Sequence, residues 1–544
     1  MHRCYTFFVF LLLVAVYLFY LPYTEFVIDG WWVFHKFEQA RARGPQEEWR
    51  LAWAIPQNQL WGIFRANWLS LLAVYGLYQV AGTHPAFYFL AGLLLHTAVA
   101  YLFYLTLTRL GVDRRLGFTT GAAFLLLPTV HNQLFWCTGL GPYLLSAFWF
   151  LIYLYSVAGT IVAGKLDPRA ALVQCVALVL AMFSTDQVFG LLVGAALWLA
   201  VCWRSRAGLW CALLAWSTIG SVGSLYLRFV NRGQLGETVG KYFSFAPARV
   251  WENLRLIGAD YTKMTGFGDG FYHLSAVGWT SLGAVAVALL VFWRLRSAPK
   301  QPEGSLVPAL ALGAGLWVLG YGPTLLLQWR EFRYDYLPSL GLALLLALAC
   351  FVALRAWPRS LLPAGAALLT AWCAATALAD MQQCWQPQSR NLKAIKQRLL
   401  QLKDLHAGDI VVISNTPMQI GTAQHFAMIL SYCSTPFVEL VTGVDGLEVG
   451  RDILADPGRL GLQHVDFVHE LKLDDLRRTH VLFADGVAAS SIRTLFAREV
   501  HGGQYELHPL KGYTGAPPPP DRTYSREELR AIERDVYFPH RHLH

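Results

Sequence analysis

The feature that most limits what this chain can become is a succession of apolar runs, separated by short loops carrying arginine and lysine. The runs lie near residues 4–22, 86–108, 115–131, 141–163, 169–184, 187–203, 208–228, 275–293, 306–328, 335–356 and 360–380. Most reach the roughly 17–25 residues that a helix needs to cross a bilayer. Only 15% of residues are charged and mean hydropathy is +0.39, whereas soluble domains carry about 25% charged residues. The pattern predicts an α-helical polytopic membrane protein of about eleven spans. The net charge of +9 would suggest nucleic acid in a soluble protein. Here the basic residues collect in loops between spans, so the excess reports orientation and no nucleic-acid partner is expected.

Residues 1–22 begin Met-His-Arg and run into apolar sequence without an Ala-x-Ala cleavage site. That reads as an uncleaved signal anchor and a first span. The run Asn67–Ala81 is apolar but short, and Arg65 precedes it. If it does not cross, the basic loops with Arg109, Arg114 and Arg115, Lys165 and Arg169, Arg204 and Arg206, Arg294 and Arg296, and Arg355 and Arg359 all fall on one side. That is the positive-inside pattern, so residues 67–81 are expected to lie in the interface or re-enter. The opposite side collects the first loop, the loops 131–141 and 231–273, the segment 328–338 and the turn at Asp186. The unusual chemistry then gathers on the extracytoplasmic face.

The chain divides by composition into a membrane domain at 1–383, a small extracytoplasmic α/β domain at 384–514 and a Pro-rich, charged tail at 515–544. Gly408–Asn415 and Phe437–Thr442 read as buried strands, while 389–405 and 419–431 carry helical patterns. A charged helix is expected near 525–535. No Walker loop, dinucleotide fingerprint or metal-spacing motif is present. Most of the nine cysteines sit in apolar runs as small packed hydrophobes. Cys137, Cys384 and Cys433 fall outside them, and a Cys384–Cys433 disulfide is one option.

The membrane domain reads as organised around Tyr23–Thr83, where Glu25, Asp29, Trp31 and Trp32 follow the first span. Indoles suit the headgroup level. A carboxylate kept near lipid is costly and is a functional candidate, although Asp29 could equally cap a helix starting at Gly30. Arg330, Glu331, Arg333 and Asp335 place four charges in LQWREFRYDYLPS. An arginine fork suits a lipid-linked phosphate; the alternative is an interface-anchoring cluster with Tyr334 and Tyr336. Asp186 in FSTDQ is either a turn former or a catalytic group that orients an acceptor or shares a proton with Asp29. His131 and Trp136, with neighbouring amides, suit the hydroxyls and CH face of a sugar, though a lone interfacial histidine is commonly structural. His96, inside a span, is expected to hydrogen-bond a neighbouring helix. The mixed-charge loop 231–273 reads as a substrate cover or as a solvated helix.

Four segments together resemble a known family. FRANWLSLLAVYGLYQVAGTHPAFYFLAGLLLH (64–96), LPTVHNQLFW (127–136), FSTDQ (183–187) and FRYDYLPSLG (332–341), with an early Asp in the first outer loop, resemble the GT-C superfamily of polyprenyl-phosphate-sugar-dependent glycosyltransferases. The likeness is greatest to the protein O-mannosyltransferases with tetratricopeptide repeats and their bacterial relatives. The resemblance implies a GT-C-like membrane domain that moves a hexose from a lipid-linked donor to an extracytoplasmic hydroxyl, with inversion. Asp29 would act as general base. Arg333, with Arg65, would hold the donor phosphate. Apart from the resemblance, the residues themselves make Arg330 a further phosphate candidate and His131, Trp136, Tyr334 and Tyr336 candidate substrate contacts. The sequence departs from the family where Gly30 follows Asp29, where Thr185-Asp186 stands for Lys-Glu, and where no tetratricopeptide repeats follow. A lipid-linked sugar is the expected co-substrate and no metal ligand set is assigned, although Asp29 and Asp186 could share a divalent ion if they converge. Two other classes remain open: a flippase or transporter of a lipid-linked glycan, and a non-catalytic glycan-binding membrane protein.

Overall fold

A computed structural model describes residues 2–26, 29–54, 68–130, 134, 141–185, 188–201, 206–229, 246–264, 306–326, 335–355, 361–402, 405–416, 419–421, 426–428, 434–453, 479–483, 495–501, 504–509, 522–525 and 528. They form two compact units. The first comprises Met1–Thr24 and Gly44–Asp380, the second Glu25–Arg43 and Met381–His544.

The first unit is helical. Among the described residues, three helices are long and apolar enough to cross a membrane: Thr6–Tyr23, Pro85–Arg109 and Tyr143–Ala163. Shorter apolar helices cover Leu69–Ala81, Pro168–Met182, Leu306–Gly320, Ser339–Ala353 and Ala364–Ala379. The expected span at 275–293 lies outside the described residues. Local sequence sets where helices begin. Asp113 accepts hydrogen bonds from Arg115 N (2.7 Å) and Leu116 N (3.3 Å) ahead of Arg114–Leu126. Asp167 accepts from Ala170 N at 2.8 Å, with Pro168 at the first helical position. Gly164, at φ 69°, closes Ser146–Ala163 in the left-handed region.

Helices meet where glycine removes the side chain. A Cβ at Gly194 would lie 2.8 Å from Gly315 O, and one at Gly341 would lie 2.5 Å from Gly313 O. Backbones therefore approach directly, as in membrane helix pairs built on small residues. Meanwhile Phe8, Phe87, Leu172, Trp210, Val307 and Leu368 face outward, each more than half exposed. Large apolar side chains turned out along several helices suit a lipid surface rather than water.

The second unit combines strands with helices. Its strands are β1 (Ile410–Thr416), β2 (Gln419–Gly421), β3 (Phe426–Met428), β4 (Glu448–Ile453), β5 (Thr479–Phe483), β6 (Leu495–His501), β7 (Gln504–Pro509) and β8 (Thr523–Ser525). β1 is central to a parallel sheet of order β4-β1-β5, with Ile410 opposite Glu448 and Thr479. Val411 and Ile413 of β1 are fully buried. β2-β3 and β6-β7-β8 are antiparallel. Residues 410–416 form the expected strand, and Gln386–Leu399 the expected amphipathic helix, which buries Leu392, Ile395 and Leu399. Two expectations are corrected. Phe437–Thr442 belongs to a helix, Ser434–Thr442, and the pattern at 419–431 gives β2 and β3 rather than a helix. Short apolar runs do not separate strand from helix by periodicity.

The segment after the first apolar helix also differs from its sequence reading. Asp29–Arg43 is a helix of the second unit. Its face of Trp31, Phe34 and Phe37 is buried. Trp31 is 2% exposed, with Phe437 4.7 Å away edge-on and Lys396 Nζ 4.8 Å from its ring. It packs inside this unit instead of anchoring at headgroups.

Candidate functional site

The four motif segments of the first unit are tied to one another by hydrogen bonds. Leu69 N donates to Phe183 O (3.2 Å) and Ser70 Oγ donates to Ser184 O (2.7 Å). Those contacts join the helix that follows Arg65 to the turn that precedes Asp186. His96 Nδ1 lies 2.9 Å from Tyr336 Oη, and its Nε2 lies 3.1 Å from Leu125 O. A carbonyl only accepts, so Nε2 carries the proton and Nδ1 accepts from the tyrosine hydroxyl. Tyr17 Oη also donates to Leu125 O at 2.9 Å. That carbonyl lies in the last turn of Arg114–Leu126, where helix carbonyls lack partners within the helix. His96 thus bonds neighbouring elements, as its place inside a span suggested.

The segments 127–136 and 332–341 meet in the same way. Ser339 Oγ donates to Asp335 O (2.6 Å). Its single proton is spent there, so Thr129 Oγ1 donates to Ser339 Oγ (2.6 Å). Asp335 is 2% exposed, and Tyr321 Oη donates to its Oδ1 at 3.0 Å. A carboxyl enclosed within a membrane helix unit is costly unless partnered, and marks a functional candidate. Sequence reasoning named Asp335 only as one of four charges. What singles it out is burial, which the neighbouring LQWREF does not reveal.

Tyr336, expected to face a substrate, is fully buried, with its hydroxyl on His96. Asp29 is the first residue of its helix, in keeping with either a helix-start or a catalytic reading. Asp186, Arg65, Arg330, Arg333, His131, Trp136 and Tyr334 lie outside the described residues, as do the side chain of Cys384 and all of Cys433. On the loop 231–273, Pro247–Met264 is a helix whose Arg255 donates to Glu252 through two nitrogens at 3.0 Å, holding that carboxyl below its ordinary value. An exposed pair one turn apart is what a solvated helix face carries. On the same helix, buried Asn253 donates to Leu325 O (2.9 Å), which links it to the segment preceding Arg330.

The second unit holds groups that the sequence did not bring together. Glu25 pairs with Lys396, the carboxylate being 8% exposed. His35 Nε2 lies 2.9 Å from Glu439 Oε2 and 3.5 Å from Asp445 Oδ1. These partners stand hundreds of residues apart, so no local signal could have announced them.

No protein-family model matches the chain, and no curated protein matches it either.

Proposed function

We propose that the chain is an integral membrane glycosyltransferase that moves a sugar from a polyprenyl-phosphate donor to an extracytoplasmic hydroxyl. In this reading about eleven helices span the bilayer in a GT-C-like arrangement. The second unit is an extracytoplasmic α/β domain. Asp29 takes the proton of the acceptor hydroxyl as its oxygen attacks the sugar C1. Arg330 and Arg333, with Arg65, hold the departing phosphate by paired charge-assisted hydrogen bonds. Asp186, His131, Trp136 and Tyr334 orient acceptor and sugar. The acceptor is a protein, glycan or lipid hydroxyl.

One observation carries the reading. The segments 64–96, 127–136, 183–187 and 332–341, scattered through the membrane portion, are linked by Leu69–Phe183, Ser70–Ser184, His96–Tyr336 and Thr129–Ser339. Polar ties of this kind hold loop termini in fixed geometry, which a site made of several loops requires. Among the described residues Asp335 is the acidic side chain buried in the first unit, whereas a transport path would need a series of such charges along the spans.

The test is donor turnover in proteoliposomes carrying a labelled polyprenyl-phosphate hexose. Wild type should release the labelled hexose from lipid, while Asp29→Asn should bind the donor and leave it intact. Equal and absent turnover in both proteins across several donor sugars would remove the reading. Passage of the intact donor across the bilayer would point to transport.

A further inference from the structure

We propose that His35, Glu439 and Asp445 form a binding site for a divalent transition metal, with Zn2+ as its fitting occupant. The site lies within the second unit and goes beyond the sugar-transfer reading, which does not use these residues. One ligand atom from each residue falls within 4.8 Å of the others. His35 Nε2 is 2.9 Å from Glu439 Oε2 and 3.5 Å from Asp445 Oδ1. Bonds of about 2.0–2.2 Å in tetrahedral geometry put neighbouring ligand atoms about 3.3–3.6 Å apart. The 3.5 Å pair falls within that spacing, and the 2.9 Å pair is about 0.4 Å short of it, so His35 and Glu439 need to part slightly to admit the ion.

An ion pair or hydrogen bond is the ordinary explanation for an imidazole between carboxylates, and one detail argues against it. The His35 side chain is 8% exposed, and its Nε2 is fully enclosed without a hydrogen-bond partner despite the 2.9 Å approach of Glu439. The nitrogen is near the carboxylate but not aligned with it. That is how two ligands sit when both aim at a third point.

The supports are those of a metal site. Glu439 Oε1 accepts from Gly446 N (2.6 Å) and Leu447 N (3.1 Å), so the carboxylate is fixed and Oε2 is left for the cluster. The loop carrying Asp445 runs between Gly443 (φ 72°) and Gly446 (φ 79°), both in the left-handed region. Gly443 N donates to Glu439 O, and Gly408 N to Gly446 O, each at 2.8 Å. Asp445 itself is 72% exposed, which leaves a wet side for water ligands and for entry of the ion. One imidazole with two carboxylates suits a borderline cation better than Mg2+ or Ca2+, which favour all-oxygen shells. Once bound, the ion would clamp the helix Asp29–Arg43 to the helix Ser434–Thr442.

The experiment uses the full chain in detergent, stripped with chelator and titrated with ZnCl2 against a chromophoric competitor. His540, His542 and His544 are first replaced by Ala, because a terminal imidazole run binds metal by itself. One Zn2+ should bind, and Asp445→Asn and His35→Gln should each weaken it about tenfold or more. Zn2+ should also raise the melting temperature of the parent but not of the variants. Asp445 is exposed, so its variant decides the matter even if His35→Gln folds poorly. No binding by the parent, or unchanged binding by Asp445→Asn, would overturn the site and leave an ion pair.

Discussion

Replacing Trp31 by Ala probes whether the segment Glu25–Arg43 belongs to the second unit. The side chain is 2% exposed and stands between Phe437 at 4.7 Å and Phe26 at 5.5 Å, both edge-on, with Lys396 Nζ 4.8 Å from its ring. Removing so large a buried ring costs about 3–5 kcal/mol, the loss of transfer energy and the residual cavity together. The edge-on contact with Phe437 accounts for about 0.5–1.5 kcal/mol beyond area. A double-mutant cycle isolates it: Trp31→Ala with Phe437→Ala should cost about 0.5–1.5 kcal/mol less than the two singles summed. The assay is proteolysis of the full-length protein in detergent across a urea series, scored by cleavage after residue 400. Trp31→Ala should move the cleavage midpoint to markedly lower urea, and Trp31→Phe should recover most of the loss. Unchanged cleavage in Trp31→Ala, or strict additivity in the cycle, would place Trp31 elsewhere and refute the packing.

Gly341→Ala pushes a methyl to about 2.5 Å from Gly313 O. Backbone cannot rotate away, so the helices Leu306–Gly320 and Ser339–Arg355 must part, at about 1–3 kcal/mol; thermal unfolding should show this, with Gly220→Ala, which meets nothing within 4 Å, as the neutral control. Ser339→Ala removes the donor to Asp335 O and the acceptor of Thr129, so it should lower stability by about 1–3 kcal/mol and lower donor turnover with it. Ser525 and Glu528 exchange hydrogen bonds, Ser525 N to Glu528 Oε2 (2.8 Å) and Glu528 N to Ser525 Oγ (3.2 Å), the reciprocal pattern of a capping box, while the rest of the helix expected near 525–535 lies outside the described residues. The Ser525 amide holds the Glu528 carboxyl below its ordinary value. The box should therefore stabilise above the ordinary glutamate range and weaken as pH falls through the lowered value. Carboxyl NMR should find that titration depressed; Ser525→Ala keeps the amide and removes the hydroxyl, which also lowers the carboxyl, so the titration should move upward only in part.

The apolar runs made the membrane helices legible because length and composition alone limit where such a segment can go. Pro85–Arg109 falls where the apolar run at 86–108 puts it, and Gln386–Leu399 overlaps the amphipathic pattern read at 389–405. Short segments were not legible. Phe437–Thr442 holds β-branched residues yet is helical, because tertiary contacts outweigh local preference in a run of that length. In that helix Glu439 faces the Gly446 and Leu447 amides, an arrangement no window of sequence contains. The Trp31-Trp32 pair suggested headgroups because indoles suit an interface, but the same amphipathic face serves a protein core equally well. The candidate site divides along the same line. Its motif segments could be named from the sequence, whereas the buried carboxyl of Asp335 and the His35–Glu439–Asp445 cluster exist only through long-range packing.

The measurement that tests the central claim most directly is the anomeric configuration of the transferred sugar, read by NMR after turnover of a polyprenyl-phosphate hexose of known anomer. A single carboxylate that activates the acceptor for direct attack, while arginines hold the leaving phosphate, delivers the nucleophile to the opposite face of C1. The account predicts a consumed donor and an inverted product. A retained anomer would contradict direct displacement with Asp29 as base, and a donor left intact under every condition would contradict glycosyl transfer itself.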